Sequence, residues 1–151
     1  MTDGTKDGSK TAILLIDDSK AGAAQIVNLF RSARVTNPVH VLTEGRDVLD
    51  FLFRKGRFEQ DAPLLAETLI LLSLQLQSAI PAEVLKKIKS DERSRSFPII
   101  VLTSSQQDRG VMEAYKLGAN AAIVHPIDIT KFMEAIAELK LGWLLISSEE
   151  R

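Results

Sequence analysis

Five short, nearly continuous apolar runs constrain this chain more than any other feature: residues 12–16 (AILLI), 38–42 (PVHVL), 69–72 (LILL), 98–102 (PIIVL) and 121–124 (AAIV). A strand with one wet face alternates apolar and polar residues. Runs without that alternation suit strands covered on both faces, as in a parallel sheet. Between the runs, apolar residues fall at helical spacing. They are Ile26, Val27 and Leu29; Val48, Leu49, Phe51 and Leu52; Val84, Leu85 and Ile88; Val111, Ala114, Tyr115 and Leu117; and then residues 132–139. Pro81 suits a first helical turn, and Gly118 suits the position just past a helix end. Strand and helix therefore alternate five times. Right-handed crossovers then predict a single α/β domain, a doubly wound (βα)5 fold with a five-stranded parallel sheet. The 151 residues suit one domain. Residues 1–10 (MTDGTKDGSK) read as a flexible polar arm, 11–140 as the domain, and 141–151 as an apolar arm and tail.

Charge and composition narrow the function. With 19 Lys+Arg against 20 Asp+Glu the net charge is -1, so no basic excess exists to neutralise nucleic-acid phosphates. The chain has no cysteine. Disulfide frameworks, iron–sulfur clusters and zinc ribbons are thereby excluded, and a cytoplasmic setting is expected. The first ten residues lack the apolar core of a signal peptide. No run approaches the ~20 apolar residues of a membrane span, so no membrane is expected. In doubly wound sheets ligands gather at the carboxyl ends of the strands. The residues there are Asp17 and Asp18, Ser73, Thr103 and His125. A serine, a histidine and an acid converging at one sheet edge superficially suggest a hydrolase. However, Ser73 lies in SLQLQ and not in a G-x-S-x-G elbow, so no enzyme is expected. His40, in PVHVL, reads as a strand-surface or packed residue.

Taken in order, ILLIDDS (13–19), ETLILLSLQL (67–76), FPIIVLTSS (97–105) and YKLGANAAIVHPIDITKFMEAI (115–136) resemble the receiver domain of two-component response regulators. The resemblance covers residues 11–140 and implies a flavodoxin-type, CheY-like fold. The segment RVTNPVHVLTEGRDVLDFLFRKGRF and the tail at Trp143–Leu144 look most like stand-alone regulators that partner bacterial phytochromes. A family receiver takes phosphate from a histidine kinase onto an aspartate ending the third strand. Asp17 and Asp18 match the family's Mg²⁺-binding acidic pair, Thr103 its switch hydroxyl, and Pro126 a proline that follows a cis bond.

Three positions depart from that pattern. Ser73 occupies the acceptor position, and a neutral hydroxyl neither attacks a phospho-imidazole unaided nor replaces a carboxylate as a cation ligand. His125 occupies the position of a phosphate-reaching lysine, and Ala122 that of a Tyr or Phe that swings inward. Gln77, Ile80 and Pro81 also depart from the family's loop. The expectation is a degenerate receiver that works as a phosphorylation-independent interaction module, needs no cofactor and binds Mg²⁺ weakly at best through Asp17 and Asp18. Its expected partners are proteins: a sensor kinase, a photoreceptor or another regulator. A second alternative is Ser/Thr phosphorylation at Ser73. The tail residues Trp143, Leu144, Leu145 and Ile146, together with Met112 and Tyr115, are expected to form a homodimer interface.

Overall fold

A computed structural model describes residues 11–61 and 67–138; the expected arm at 1–10 and the tail carrying Trp143, Leu144, Leu145 and Ile146 lie outside the described residues. All five expected strands are present: β1 (Thr11–Ile16), β2 (Val39–Leu42), β3 (Glu67–Ser73), β4 (Ile99–Thr103) and β5 (Ala121–Val124). They pair in parallel in the order β2-β1-β3-β4-β5. β1 and β3 start earlier than expected, at Thr11 and Glu67, and β2 and β4 start one residue later, since Pro38 and Pro98 fall just outside their strands. Proline has no N–H to give a ladder, but its carbonyl still accepts. Pro38 O takes the N–H of Ile13 at 2.8 Å, and Pro98 O takes that of Ile70 at 2.9 Å.

Every residue of β1 is buried, as its all-apolar run requires. β5 is an edge strand with β4 as its neighbour, and three of its four residues are only half-buried. The helices are α1 (Lys20–Ser32), α2 (Val48–Leu52), α3 (Pro81–Ser90), α4 (Arg109–Lys116) and α5 (Ile129–Glu138). One sheet face carries Leu14, Ile16, Ile70, Leu72 and Val101 against α2, α3 and α4. The other carries Ile13, Leu15, Leu71 and Ile100 against α1 and α5. There Phe30 and Phe132 meet with ring centroids 4.8 Å apart. Each such fully buried side chain contributes roughly 1.5–3 kcal/mol, so the two clusters fix the five strand ends relative to one another.

Local signals start and stop the helices. Ser19 caps α1 by accepting the N–H of Gly22 at 3.0 Å, and Asp108 caps α4 by accepting that of Gly110 at 2.8 Å. After α4 the chain closes in a Schellman motif: Ala119 N donates to Ala114 O and Gly118 N to Tyr115 O. Gly118 sits at φ +110, open to glycine but strained for other residues. α2 spans only five residues between single tight turns, and Arg54 and Gly56 after it take positive φ. Among the described residues no helix is long and apolar enough to cross a membrane.

Candidate functional site

Strand register sets the site. Ile16 pairs with Leu72, Ser73 with Leu102 and Thr103 with Val124. The residues one step on, Asp17 and Asp18, Ser73, Thr103 and His125, therefore share the carboxyl edge of the sheet. Backbone bonds continue the ladder past the strands. Asp17 N donates to Leu42 O, Leu74 N to Leu102 O, and His125 N to Thr103 O at 2.8 Å.

The buried polar groups at this edge are each committed to nearby backbone. Ser73 is 2% exposed, and its Oγ accepts the N–H of Gln75 at 3.1 Å. Thr103 is fully buried; its Oγ1 donates to Ser105 O at 3.1 Å and accepts Ser105 N–H at 3.3 Å. Asp17 is buried, and its Oδ1 accepts the N–H of Ser19 at 2.9 Å. A Cβ on Gly22 would come within 3.1 Å of its other oxygen, so a glycine there leaves the carboxylate its room. Asp18 turns the other way. Its Oδ2 accepts the N–H groups of Gln77, at 2.8 Å, and Ser78. Burial pushes the Asp18 carboxyl up, but the bonds from Gln77 and Ser78 outweigh it and hold the group below its ordinary range.

The remaining expected positions lie around this edge. The His125–Pro126 bond is cis. Both residues border a groove of about 340 Å³ with Ile26, Leu29 and Ile127, between α1 and the turn into α5. Ala122 lines a cleft of about 330 Å³ between α4 and α5. Its carbonyl accepts a bond from Gln106 Nε2 at 3.1 Å. Met112 and Tyr115 on α4 are 66% and 47% exposed. Ile80 immediately precedes α3 and is also exposed, beside a small apolar cleft with Leu74 and Leu85. His40 is half-buried with its ring 5.9 Å from that of Phe51, and burial followed by the charge of Arg54 lowers its pKa. Sequence reasoning missed Ser78. Its Oγ donates to Thr43 O at 2.8 Å and accepts from Gly45 N, while its carbonyl accepts from Arg46.

An acidic pair of this kind would hold Mg²⁺ through its carboxylates. Asp18 Oδ2 and Asp17 Oδ1 already accept backbone donors, and the third ligand position carries the neutral Ser73. Among the described residues no group of three or more His, Cys, Asp or Glu side chains could hold a metal ion. Two carboxylates and a neutral hydroxyl make a poorer donor set for this cation than three carboxylates would.

Comparison with known proteins agrees with the geometry. The response regulator receiver domain family matches residues 13–137. The chain is 33% identical over 134 residues to the probable methanogenesis regulatory protein FilR2 of Methanothrix harundinacea, covering 87% of this chain and 84% of that one. It is 26% identical to response regulator Rcp1 of Synechocystis, over 87% of this chain and 88% of that one. Among solved structures, the bacteriophytochrome response regulator RtBRR is 34% identical with a TM-score of 0.76, covering 91% of this chain and 82% of that one. Receivers of this family are not enzymes. With the fold, the strand-end residues and the matched segment in agreement, this chain belongs to the response regulator receiver domain family.

Proposed function

We propose that this receiver is a degenerate member of its family, acting in bacterial two-component signalling as a phosphorylation-independent protein-interaction module in the cytoplasm. One observation carries the reading: Ser73 ends β3, where an acceptor aspartate would stand, and the residue is 2% exposed with its hydroxyl bonded to Gln75 N–H. A serine hydroxyl needs a general base to become a nucleophile. Among the described residues, this hydroxyl's hydrogen bond is to a backbone donor, the N–H of Gln75. The same burial disfavours Ser73 as a substrate for a Ser/Thr kinase, which needs an accessible, flexible segment.

The substitutions follow one mechanism. A lysine at the end of β5 would reach a phosphate as a point charge; His125 is shorter and offers imidazole. Ala122 has no ring to swing, and Gln106 instead ties the loop after β4 to the Ala122 carbonyl. Thr103 is held by Ser105. A module that does not switch acts through a fixed surface. The exposed Met112 and Tyr115 on α4, beside the half-covered β5, support a homodimer interface on that side of the sheet, with a sensor kinase, a photoreceptor or another regulator as the further partner class.

Incubation with acetyl phosphate and Mg²⁺ followed by intact-mass measurement tests the reading. The expected spectrum is that of the unmodified chain. An adduct of one phosphoryl group that hydroxylamine removes would overturn it.

A further inference from the structure

The loop between β3 and α3 is tied down more thoroughly than its length of seven residues, 74–80, requires. Ser78 is the knot. Its N–H reaches Asp18 at the end of β1, its hydroxyl bridges Thr43 O and Gly45 N after β2, and its carbonyl accepts from Arg46. Gln77 N–H adds a second donor to the same carboxylate oxygen. Lys87 of α3 closes the ring by donating to Arg46 O at 3.0 Å. Three strand ends and the start of α3 thus meet around one serine and one carboxylate, through contacts 32 to 60 residues apart in sequence.

We propose that Asp18 is a positioning residue that holds the β3–α3 loop closed by itself, in place of a bound divalent cation. The inference deepens the reading of this site as silent and rests on it. A carboxylate accepting two backbone N–H groups makes charge-assisted bonds, roughly twice as strong as neutral ones. Those bonds turn Asp18 Oδ2 toward the loop. The residue at the acceptor position, Ser73, brings no charge to draw a cation in. The loop is thus held by a ligand the chain itself supplies, one carboxylate oxygen that meets both backbone donors. The consequence for function is a loop, and with it the exposed Ile80 and the start of α3, presented in one arrangement whatever the metal supply.

Amide hydrogen exchange read by mass spectrometry on the full chain tests this. In the wild type, peptides containing Gln77 and Ser78 are expected to be protected equally in EDTA and in millimolar Mg²⁺. Asp18→Ala is expected to speed their exchange about 30-fold, the factor equivalent to roughly 2 kcal/mol for losing two bonds to a charged acceptor, and Mg²⁺ is expected not to restore protection. Asp18→Asn keeps the shape and one neutral acceptor, so its exchange should lie between the two. Peptides from β1 and β4 report whether each variant remains folded. If Asp18→Ala unfolds, the wild-type comparison and Asp18→Asn decide the matter. Loop amides that exchange freely in EDTA and gain protection only with Mg²⁺ would overturn the proposal, as would an Asp18→Asn loop as protected as the wild type. No phosphodonor is used. An acyl phosphate on the wild type would therefore refute silence while leaving the clamp standing, and a loose loop in EDTA would do the reverse.

Discussion

Replacing Ser73 by aspartate restores the acceptor chemistry on paper and should destabilise the protein in practice. The new carboxylate would enter a position that is 2% exposed, one register step from Asp17, itself 5% exposed. Two carboxylates roughly 5 Å apart at an effective dielectric near 20 repel by about 3 kcal/mol. The Gln75 N–H that now donates to Ser73 Oγ can donate to the carboxylate, returning about 1 kcal/mol. Ser73→Asp should therefore cost about 2 kcal/mol at neutral pH in EDTA, a fall in Tm of roughly 4–8 °C for a domain of this size. The pH dependence carries the diagnosis. A carboxyl whose folded pKa is raised costs nothing below its unfolded pKa and its full penalty above its folded pKa. A penalty of about 2 kcal/mol corresponds to about 1.5 pH units, so the difference between variant and wild type should shrink as pH falls from roughly 5.5 toward 4. Thermal unfolding of both proteins across that range gives the difference directly. A variant within a degree of wild type at pH 7, or a penalty that acidification leaves unchanged, would refute the argument that this edge cannot hold another charge without a cation.

Two further outcomes can be checked on the same protein. His40 has a pKa lowered by burial and by Arg54, so its protonation favours the unfolded chain; stability should be flat above about pH 6.5 and fall as pH drops below it, and His40→Gln should flatten that slope in unfolding measured from pH 7 to 5. The full-length chain at tens of micromolar should scatter light as a dimer, and Met112→Glu with Tyr115→Lys should give a monomer of unchanged circular dichroism; a wild-type monomer at that concentration would reject the interface.

What the sequence made legible was whatever depends on local pattern. The apolar runs located the three central strands because a strand covered on both faces has few polar positions to spare, and β1 and β4 are buried at every residue, whereas the edge strands β2 and β5 are mostly half-buried or exposed. Pro81 and Gly118 marked a helix start and a helix end because each fixes or frees one backbone angle, a property that survives any tertiary context. α2 was less legible. Val48, Leu49, Phe51 and Leu52 have helical spacing, yet the helix stops after five residues, where Phe53 and then Arg54, at φ 53, leave the helical region. The apolar residues there answer to packing of Phe51 against Phe58, with ring centroids 5.1 Å apart, rather than to a continuous helix.

The candidate site divides along the same line. Its membership was readable, because parallel register brings residues that follow strands to one edge whatever their identity. The commitments of its atoms were not. Asp17 and Asp18 are neighbours with the same side chain, and nothing in DDS distinguishes them; in three dimensions one bonds within its own turn and the other reaches 59 and 60 residues ahead to Gln77 and Ser78. Ser78 likewise looks like an ordinary loop serine in LQSAIP, since its partners Asp18, Thr43, Gly45 and Arg46 are brought to it only by sheet order. A residue-by-residue match to a family pattern assigns a role to a position, whereas the role is exercised by an atom with a free lone pair. At this edge one oxygen each of Asp18, Ser73 and Thr103 already faces a backbone donor. The substitutions at Ser73, His125 and Ala122 and the bonds made by the residues left unsubstituted therefore point the same way. That agreement between sequence change and atomic commitment is the physical basis for reading the edge as a fixed scaffold.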